Sequence, residues 1–244
     1  MKKNNTTPKK ITELLFGIHP ILELLKAKRR KLVMLYTTKP IPKALLVLEP
    51  LIPKTVQIQY VDREVITKLA GTTEHQGVVA YATPFVIRKK FFDPNLQKRL
   101  LLLDGIQDVR NLGAILRSAY CTGIEGVILL KKYGAPLNAA ALKASAGLAE
   151  HIEIYYAPSS QAAVQELKKA GYNIYLAVVK NGLDATKVKY KHPSCLVIGS
   201  EALGISSDIR NSGELITLPQ RNPDVSYNAS VAAGILLFLI SNNK

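Results

Sequence analysis

Apolar residues follow two rhythms in the first third of the chain. The segments IHPILELLKA (18–27) and DREVITKLAG (62–71) place them at helical spacing. The segments LVMLY (32–36), VQIQY (56–60) and GVVAYA (77–82) are typical of short strands, because β-branched and aromatic residues lie between breakers. A further helix is expected over 42–51, PKALLVLEPL. Together these patterns predict a small α/β unit.

From Leu100 onward, short apolar runs alternate with segments of helical spacing, and a long helix over residues 226–241 closes the chain. The runs that predict strands are LLLLD, GVILL, IEIYY, NIYLAVV, CLVIG and ELITL. Apolar strands that alternate with helices favour a parallel sheet covered on both faces. The larger part of the chain is therefore predicted to be an α/β domain.

Composition between these two parts indicates a boundary. Residues 83–98 contain two prolines and four basic residues, as expected of a connecting segment. We therefore predict a basic flexible tail over 1–15, a small domain over 16–83, a linker over 84–98 and a larger domain over 99–244.

The chain is strongly basic, with 33 Lys and Arg against 18 Asp and Glu in 244 residues, a formal charge of +15. Eleven of the basic residues precede residue 44, where only Glu13 and Glu23 oppose them. This charge favours a polyanionic partner and makes a small-molecule metabolic enzyme the least favoured class. A merely solvated surface explains the clustering equally well.

Several kinds of chemistry are not indicated. The sequence contains no dinucleotide fingerprint, P-loop or serine-hydrolase elbow, and its four histidines have no metal-ligand spacing. Its two cysteines suit a reducing compartment, and Cys121 is expected to be a buried structural thiol. The longest apolar run, 229–240, is too short to cross a bilayer, and the first residues, with no long apolar core or small-residue cleavage site, do not resemble a signal peptide. We therefore expect a cytoplasmic protein without a membrane segment or metal.

Polar residues collect in the loops that follow three predicted strands, where open α/β sheets bind their ligands. These residues are Asn111, Arg117, Glu201, Ser226 and Asn228. Each has a structural explanation of its own: Asn111 can cap a helix, for example, and Ser226 can cap the last one. Their shared position at one edge of the sheet nevertheless predicts a site.

Three blocks carry a family resemblance: LDGIQDVRNLGAILRSA (103–119), LVIGSEALGIS (196–206) and ITLPQRNPDVSYNASVAAGILLF (216–238). In order and spacing they resemble the motifs of the SpoU/TrmH family of RNA ribose 2′-O-methyltransferases, which belong to the SPOUT class. The usual family residues are replaced at four positions, by Val109, Ala202, Tyr227 and Ala229. The segments LFGIHPILELL and HQGVVA resemble the two ends of the family's substrate-binding domain, which has a fold like that of ribosomal protein L30e.

The resemblance implies a fold and a site. The fold is a SPOUT-type parallel sheet with a C-terminal trefoil knot, and the cofactor is S-adenosylmethionine, held at Gly199, Leu218 and Tyr227. Arg117 is implied to be the central catalytic residue, assisted by Asn111, Glu201, Ser226 and Asn228. Because arginine keeps its proton in proteins, Arg117 is expected to act as a cation that stabilises charge and not as a base.

The resemblance also implies partners. It favours a homodimer formed through the knot region and the final helix. It also favours, as the substrate, the ribose of a guanosine in large-subunit rRNA. Methylation of tRNA is one alternative. Another is a non-catalytic factor that binds rRNA during ribosome assembly.

Overall fold

The computed structural model describes residues 12–222 and 224–242, and contacts between residues divide the chain after Val86 into two units. Residues 1–11 of the predicted tail, with four of its lysines, lie outside the described residues. The last residues of that tail are ordered, because the first strand begins at Glu13 and pairs with a strand near the end of the unit.

The first unit is a four-stranded sheet with two helices. Its strands are ordered β1-β4-β2-β3; β4 is antiparallel to β1 and β2, and β3 is parallel to β2. The elements are β1 (Glu13–Phe16), α1 (Ile18–Ala27), β2 (Leu32–Thr37), β3 (Gln57–Tyr60), α2 (Arg63–Ala70) and β4 (Val78–Ala82). Fully buried apolar side chains from both helices and the sheet form its core. The two helices at 18–27 and 62–71 are thus confirmed, and the second ends at Gly71 in the left-handed conformation.

The helix predicted over 42–51 is wrong. Two short 3₁₀ helices, Lys43–Val47 and Glu49–Leu51, occupy the segment, with hydrogen bonds from Leu45 N to Pro42 O and from Leu51 N to Leu48 O. Pro50 explains the difference. It has no N–H to donate in an α-helix, whereas a short 3₁₀ helix does not require a donor at that position.

The second unit is a seven-stranded, wholly parallel sheet with order β7-β6-β5-β10-β8-β11-β9, which confirms the predicted α/β class. The strands are β5 (Arg99–Asp104), β6 (Gly126–Leu130), β7 (Glu153–Ala157), β8 (Asn173–Ala177), β9 (Leu183–Asp184), β10 (Ser194–Gly199) and β11 (Glu214–Thr217). The helices are α3 (Val109–Cys121), α4 (Ala139–Ala144), α5 (Ser160–Ala170) and α6 (Ala229–Asn242). Among the described helices, none combines the length and apolarity needed to span a bilayer.

Most of the predicted linker belongs to this second unit. Ile87 forms a parallel bridge with Ile154, and Arg88 pairs with Glu153. Phe92 is 4% exposed and packs so closely that a Cβ on Gly126 would lie 2.2 Å from its ring. A segment with prolines and charges therefore packs on the sheet edge, because its two phenylalanines provide an apolar face.

Candidate functional site

A pocket of about 780 Å³ opens at the carboxyl edge of the large sheet. Loops after β8, β10 and β11 form its walls, and apolar side chains such as Ile198, Ile216 and Leu236 line its inner part. Six of the residues predicted for the site line this pocket: Gly199, Glu201, Leu218, Ser226, Tyr227 and Asn228. A mixed lining of this size suits a small organic ligand.

A seventh predicted residue reaches the same region from another element. Asn111 Nδ2 donates a hydrogen bond of 2.8 Å to Glu201 Oε1. Asp108, and not Asn111, caps α3, since its carboxylate accepts from Arg110 N at 2.7 Å. The amide of Asn111 is therefore available to join α3 to the loop after β10.

Arg117 differs from these seven residues, because it neither lines the pocket nor bonds to a residue that does. It is exposed on α3, does not line the pocket, and makes no hydrogen bond or ion pair with any part of the chain that the structure describes. Six residues of helix place it about 9 Å along the axis from Asn111 and about 120° around it. Arg110, one residue before Asn111, shares the exposed face of Arg117 because seven residues make about two turns.

The loop after β10 folds back on itself. Ser200 N donates to Gly204 O at 3.1 Å, and Gly204 N donates to Ser200 O at 2.9 Å. A Cβ on Gly199 would lie 2.1 Å from the carbonyl carbon of Gly204, a distance that real Cβ atoms essentially never show. Gly199 is thus required by the loop's own backbone, in addition to any ligand that approaches it.

Asn228 starts the final helix. Its Oδ1 accepts from Ser230 N at 2.9 Å, and α6 begins at Ala229, three residues later than predicted. Ser226, which the sequence offered as the cap, precedes this point and lines the pocket.

Three charged residues of the pocket were missed by the sequence analysis. Lys180 Nζ, in the loop after β8, lies 2.6 Å from Asp224 Oδ1, in the loop before α6. Arg210 also lines the pocket. Lys180 and Arg210 lie outside the three motif blocks, and Asp224 lies inside the third without having been assigned a role, because the pocket assembles these residues from segments far apart in the chain.

The two cysteines differ in burial, and one of them differs from expectation. Cys121 is exposed at the end of α3, so its prediction as a buried thiol is wrong: the helix turns its last residue outward. Cys195 is buried within β10, and burial raises the pKa of its thiol. Within the described ranges, 12–222 and 224–242, no group of His, Cys, Asp or Glu could hold a metal ion.

The basic stretch of the first unit is largely at the surface. Its exposed lysines are Lys26, Lys28, Lys31, Lys39 and Lys43. Arg30 is the exception, since it is 6% exposed and its Nη1 lies 2.6 Å from Glu13 Oε2. Arg30 therefore stabilises the unit from within, and the neighbouring lysines supply the charge that an anion could contact.

Two family models match the chain. The SpoU rRNA Methylase family matches residues 98–238, and the model described as "RNA 2'-O ribose methyltransferase substrate binding" matches residues 14–86. The two matches correspond to the two units of the fold.

Relatives match over nearly their whole length. The TrmH-family protein YacO of Bacillus subtilis is 32% identical over 241 residues, which cover 95% of this chain and 96% of YacO. The 23S rRNA (guanosine-2′-O-)-methyltransferase RlmB of Escherichia coli is 31% identical over 238 residues, or 93% of this chain and 97% of RlmB. Among solved structures, the AdoMet-bound rRNA methyltransferase from Sinorhizobium meliloti is similar with a TM-score of 0.78 at 22% identity, over 94% of this chain and 86% of that one.

Proposed function

Because the chain belongs to the SpoU rRNA methylase family, we propose that it transfers a methyl group from S-adenosylmethionine to a ribose 2′-hydroxyl, of a guanosine, in large-subunit rRNA. One observation carries the proposal. Seven residues that the family motifs mark for the site surround or adjoin a single pocket at the carboxyl edge of the sheet. RlmB of Escherichia coli, similar along 93% of this chain, favours rRNA as the substrate.

The pocket suits S-adenosylmethionine in size and lining. Apolar walls next to a hydrophobic helix can receive an adenine ring, and loop backbone groups at Gly199, Leu218 and Tyr227 can provide its hydrogen bonds. Bound there, S-adenosylmethionine supplies a methyl group on a positively charged sulfur. The chain's own contribution is to hold the ribose oxygen in line with that methyl group.

Arg117 is proposed to stabilise the negative charge that develops on the ribose oxygen and to bind a neighbouring phosphate. It does not act as the base, since a guanidinium keeps its proton in proteins, and the hydroxyl proton is proposed to pass to an oxygen of the neighbouring phosphate. Asn111 and Glu201 hold the loop and orient the nucleotide. Ser226 and Asn228 fix the turn before α6, where Asn228 caps the helix.

Arg117 favours a homodimer, because it does not line the pocket of its own chain and bonds to none of its described residues. The final helix carries an exposed apolar stripe at Val231, Ile235 and Phe238, of which Phe238 is 60% exposed. This stripe is the surface proposed for a second copy. Because α3 packs against α6, a partner seated there would lie near Arg117.

The finer features of the fold are proposed on the same basis. A trefoil knot is proposed because the second unit matches the SpoU family, to which the sequence resemblance assigns that fold. The first unit is proposed to be an L30e-like domain that contacts RNA phosphates through its surface lysines. Such contacts supply affinity and little sequence information.

The test is transfer of labelled methyl from S-adenosylmethionine to unmodified large-subunit rRNA, with tRNA assayed in parallel. Arg117→Ala should reduce turnover by about a hundredfold or more, as expected for a lost charge-stabilising group, and leave cofactor affinity unchanged. Arg110→Ala is the matched control, because it removes an exposed arginine from the same face of α3.

Each of the other possible outcomes would change one part of the proposal. Label in tRNA alone would keep the chemistry and change the substrate. Equal losses in the two arginine variants would mean that positive charge on α3, and not Arg117 itself, is required. Cofactor binding without label in either RNA would indicate a non-catalytic rRNA-binding factor.

A further inference from the structure

Asp104 is a buried carboxylate with an unusual set of partners. It is the last residue of β5 and is 2% exposed. Ser206 N donates to its Oδ2 at 2.7 Å, Ser206 Oγ donates to its Oδ1 at 2.9 Å, and Ser160 Oγ donates to Oδ1 at 2.5 Å. The two oxygens of this side chain thus accept three hydrogen bonds from two serines.

These hydrogen bonds connect three elements that are distant in the sequence. Ser160 is the first residue of α5, and Ser206 ends the loop that follows β10, 102 residues after Asp104. In the sheet, Asp104 lies directly beside Gly199, where that loop begins. The carboxylate of Asp104 thus holds the last residue of the loop, Ser206, although Asp104 itself lies beside the first residue, Gly199.

The loop between these points forms a wall of the pocket. Residues 199–205 all line it, and the Ser200–Gly204 hydrogen bonds close it into a turn. Asn111 holds the exposed side of the turn through Glu201, whereas Asp104 holds its buried side through Ser206.

The buried anchor constrains the loop strongly. A buried charge is costly unless it is hydrogen-bonded, and Asp104 forms no ion pair with any described residue that could compensate a lost donor. Any movement of the loop that takes Ser206 away would leave the carboxylate short of two of its three donors. The loop is therefore held in place before a ligand arrives, which lowers the entropy cost of binding.

We infer that Asp104 is a positioning residue for the cofactor pocket: through Ser206 it fixes the loop of residues 200–206 in the shape that receives S-adenosylmethionine. The inference rests on the proposed function for the identity of the ligand. It makes Asp104 a determinant of cofactor affinity although its side chain does not line the pocket.

Two serine variants separate positioning from general stability. Ser206→Ala and Ser160→Ala each delete one hydroxyl donor to the same Oδ1 atom, and only the first changes the loop. In calorimetric titration, Ser206→Ala should weaken S-adenosylmethionine binding by about fivefold to tenfold, because the loop loses a hydrogen bond to the Asp104 carboxylate. Ser160→Ala should weaken the same binding by less than about twofold. Ser206→Thr keeps the hydroxyl and should restore affinity.

Asp104→Asn provides the stronger form of the test, because an amide of the same shape accepts hydrogen bonds at only one of its two terminal atoms. Its expected loss of affinity is about tenfold or more. Thermal unfolding of all four variants checks that each remains folded.

Amide hydrogen exchange of residues 200–206 without any cofactor gives a readout that does not depend on the proposed function. Ser206→Ala should accelerate exchange in this loop and Ser160→Ala should not. If the wild-type protein fails to bind S-adenosylmethionine, the proposed function is wrong while this exchange result still decides the role of Asp104. Equal effects of the two serine variants on loop exchange, or none, would overturn the inference and leave Asp104 a purely structural residue.

Discussion

The turn of residues 75–77 in the first unit and the loop of residues 199–206 in the second differ in the exposure of one polar side chain each, His75 and Glu201. His75 is completely buried; its Nδ1 accepts from Gly77 N and its Nε2 contacts Thr67 Oγ1, both at 2.9 Å. Gln76 Oε1 accepts from Ile18 N at 3.2 Å. In the loop, by contrast, Glu201 is exposed at the pocket.

Both segments contain glycine and polar residues, and both belong to motifs that resemble the same family. Their difference teaches that a motif becomes available to a ligand only where the fold leaves its polar groups exposed. In the turn, His75 is buried and both of its ring nitrogens are engaged within the unit, whereas Gln76 is exposed. His75 of the HQG motif is therefore interpreted as structural, and the GSEALG motif as a pocket wall.

Gly199→Ala should have the largest effect, and it should disrupt the loop that forms the pocket wall. The added Cβ would lie 2.1 Å from backbone of Gly204, so the loop must move away. Overpacking of this kind is expected to weaken S-adenosylmethionine binding by about tenfold to a hundredfold, measured by calorimetric titration.

Gly134→Ala is the matched control, because its nearest contact, at 3.4 Å from Leu130 O, is an ordinary one. It should leave cofactor affinity within about twofold of the wild type. Unchanged affinity in Gly199→Ala would mean that the loop has more freedom than its hydrogen bonds indicate.

Local sequence patterns were sufficient for much of the fold. The strand runs and the α1 and α2 helices could be predicted because apolar periodicity and terminal glycines are local signals. The segment 42–51 failed for a local reason as well: its prolines outweigh its helical spacing.

The pocket's connections could not be predicted in the same way. Asn111 and Glu201 are 90 residues apart, and Asp104 and Ser206 are 102 apart. Periodicity predicts each element and carries no information on which loops meet. The family resemblance indicated the site residues, and only the fold reveals that Arg117 does not line the pocket.

His75→Ala should have an intermediate effect, confined to the first unit. The substitution removes a fully buried ring and leaves Gly77 N–H without its acceptor. We expect the free energy of unfolding of this unit to fall by about 2 kcal/mol, measured by hydrogen exchange of strand β4 in the whole chain.

Cofactor affinity should not change in His75→Ala, because the pocket belongs to the second unit. His19→Ala, at an exposed position of α1, is the control and should alter stability by less than about 0.5 kcal/mol. A loss of cofactor binding in His75→Ala would contradict the structural interpretation of the HQG turn.

Lys180→Ala should have the smallest effect and sharpens the comparison at the pocket itself. The Lys180–Asp224 pair joins two loops at the pocket, yet its side chains are 52% and 77% exposed. Water and salt weaken such a pair, so we expect stability to change by less than about 0.5 kcal/mol and cofactor affinity by less than about threefold. Thermal unfolding and calorimetric titration at low and high salt measure the stability and the cofactor affinity.

A large, salt-dependent loss of affinity would instead show that exposed polar groups of this region hold the two loops together, as buried groups hold the HQG turn. The difference between the two regions would then be one of burial alone and not of role.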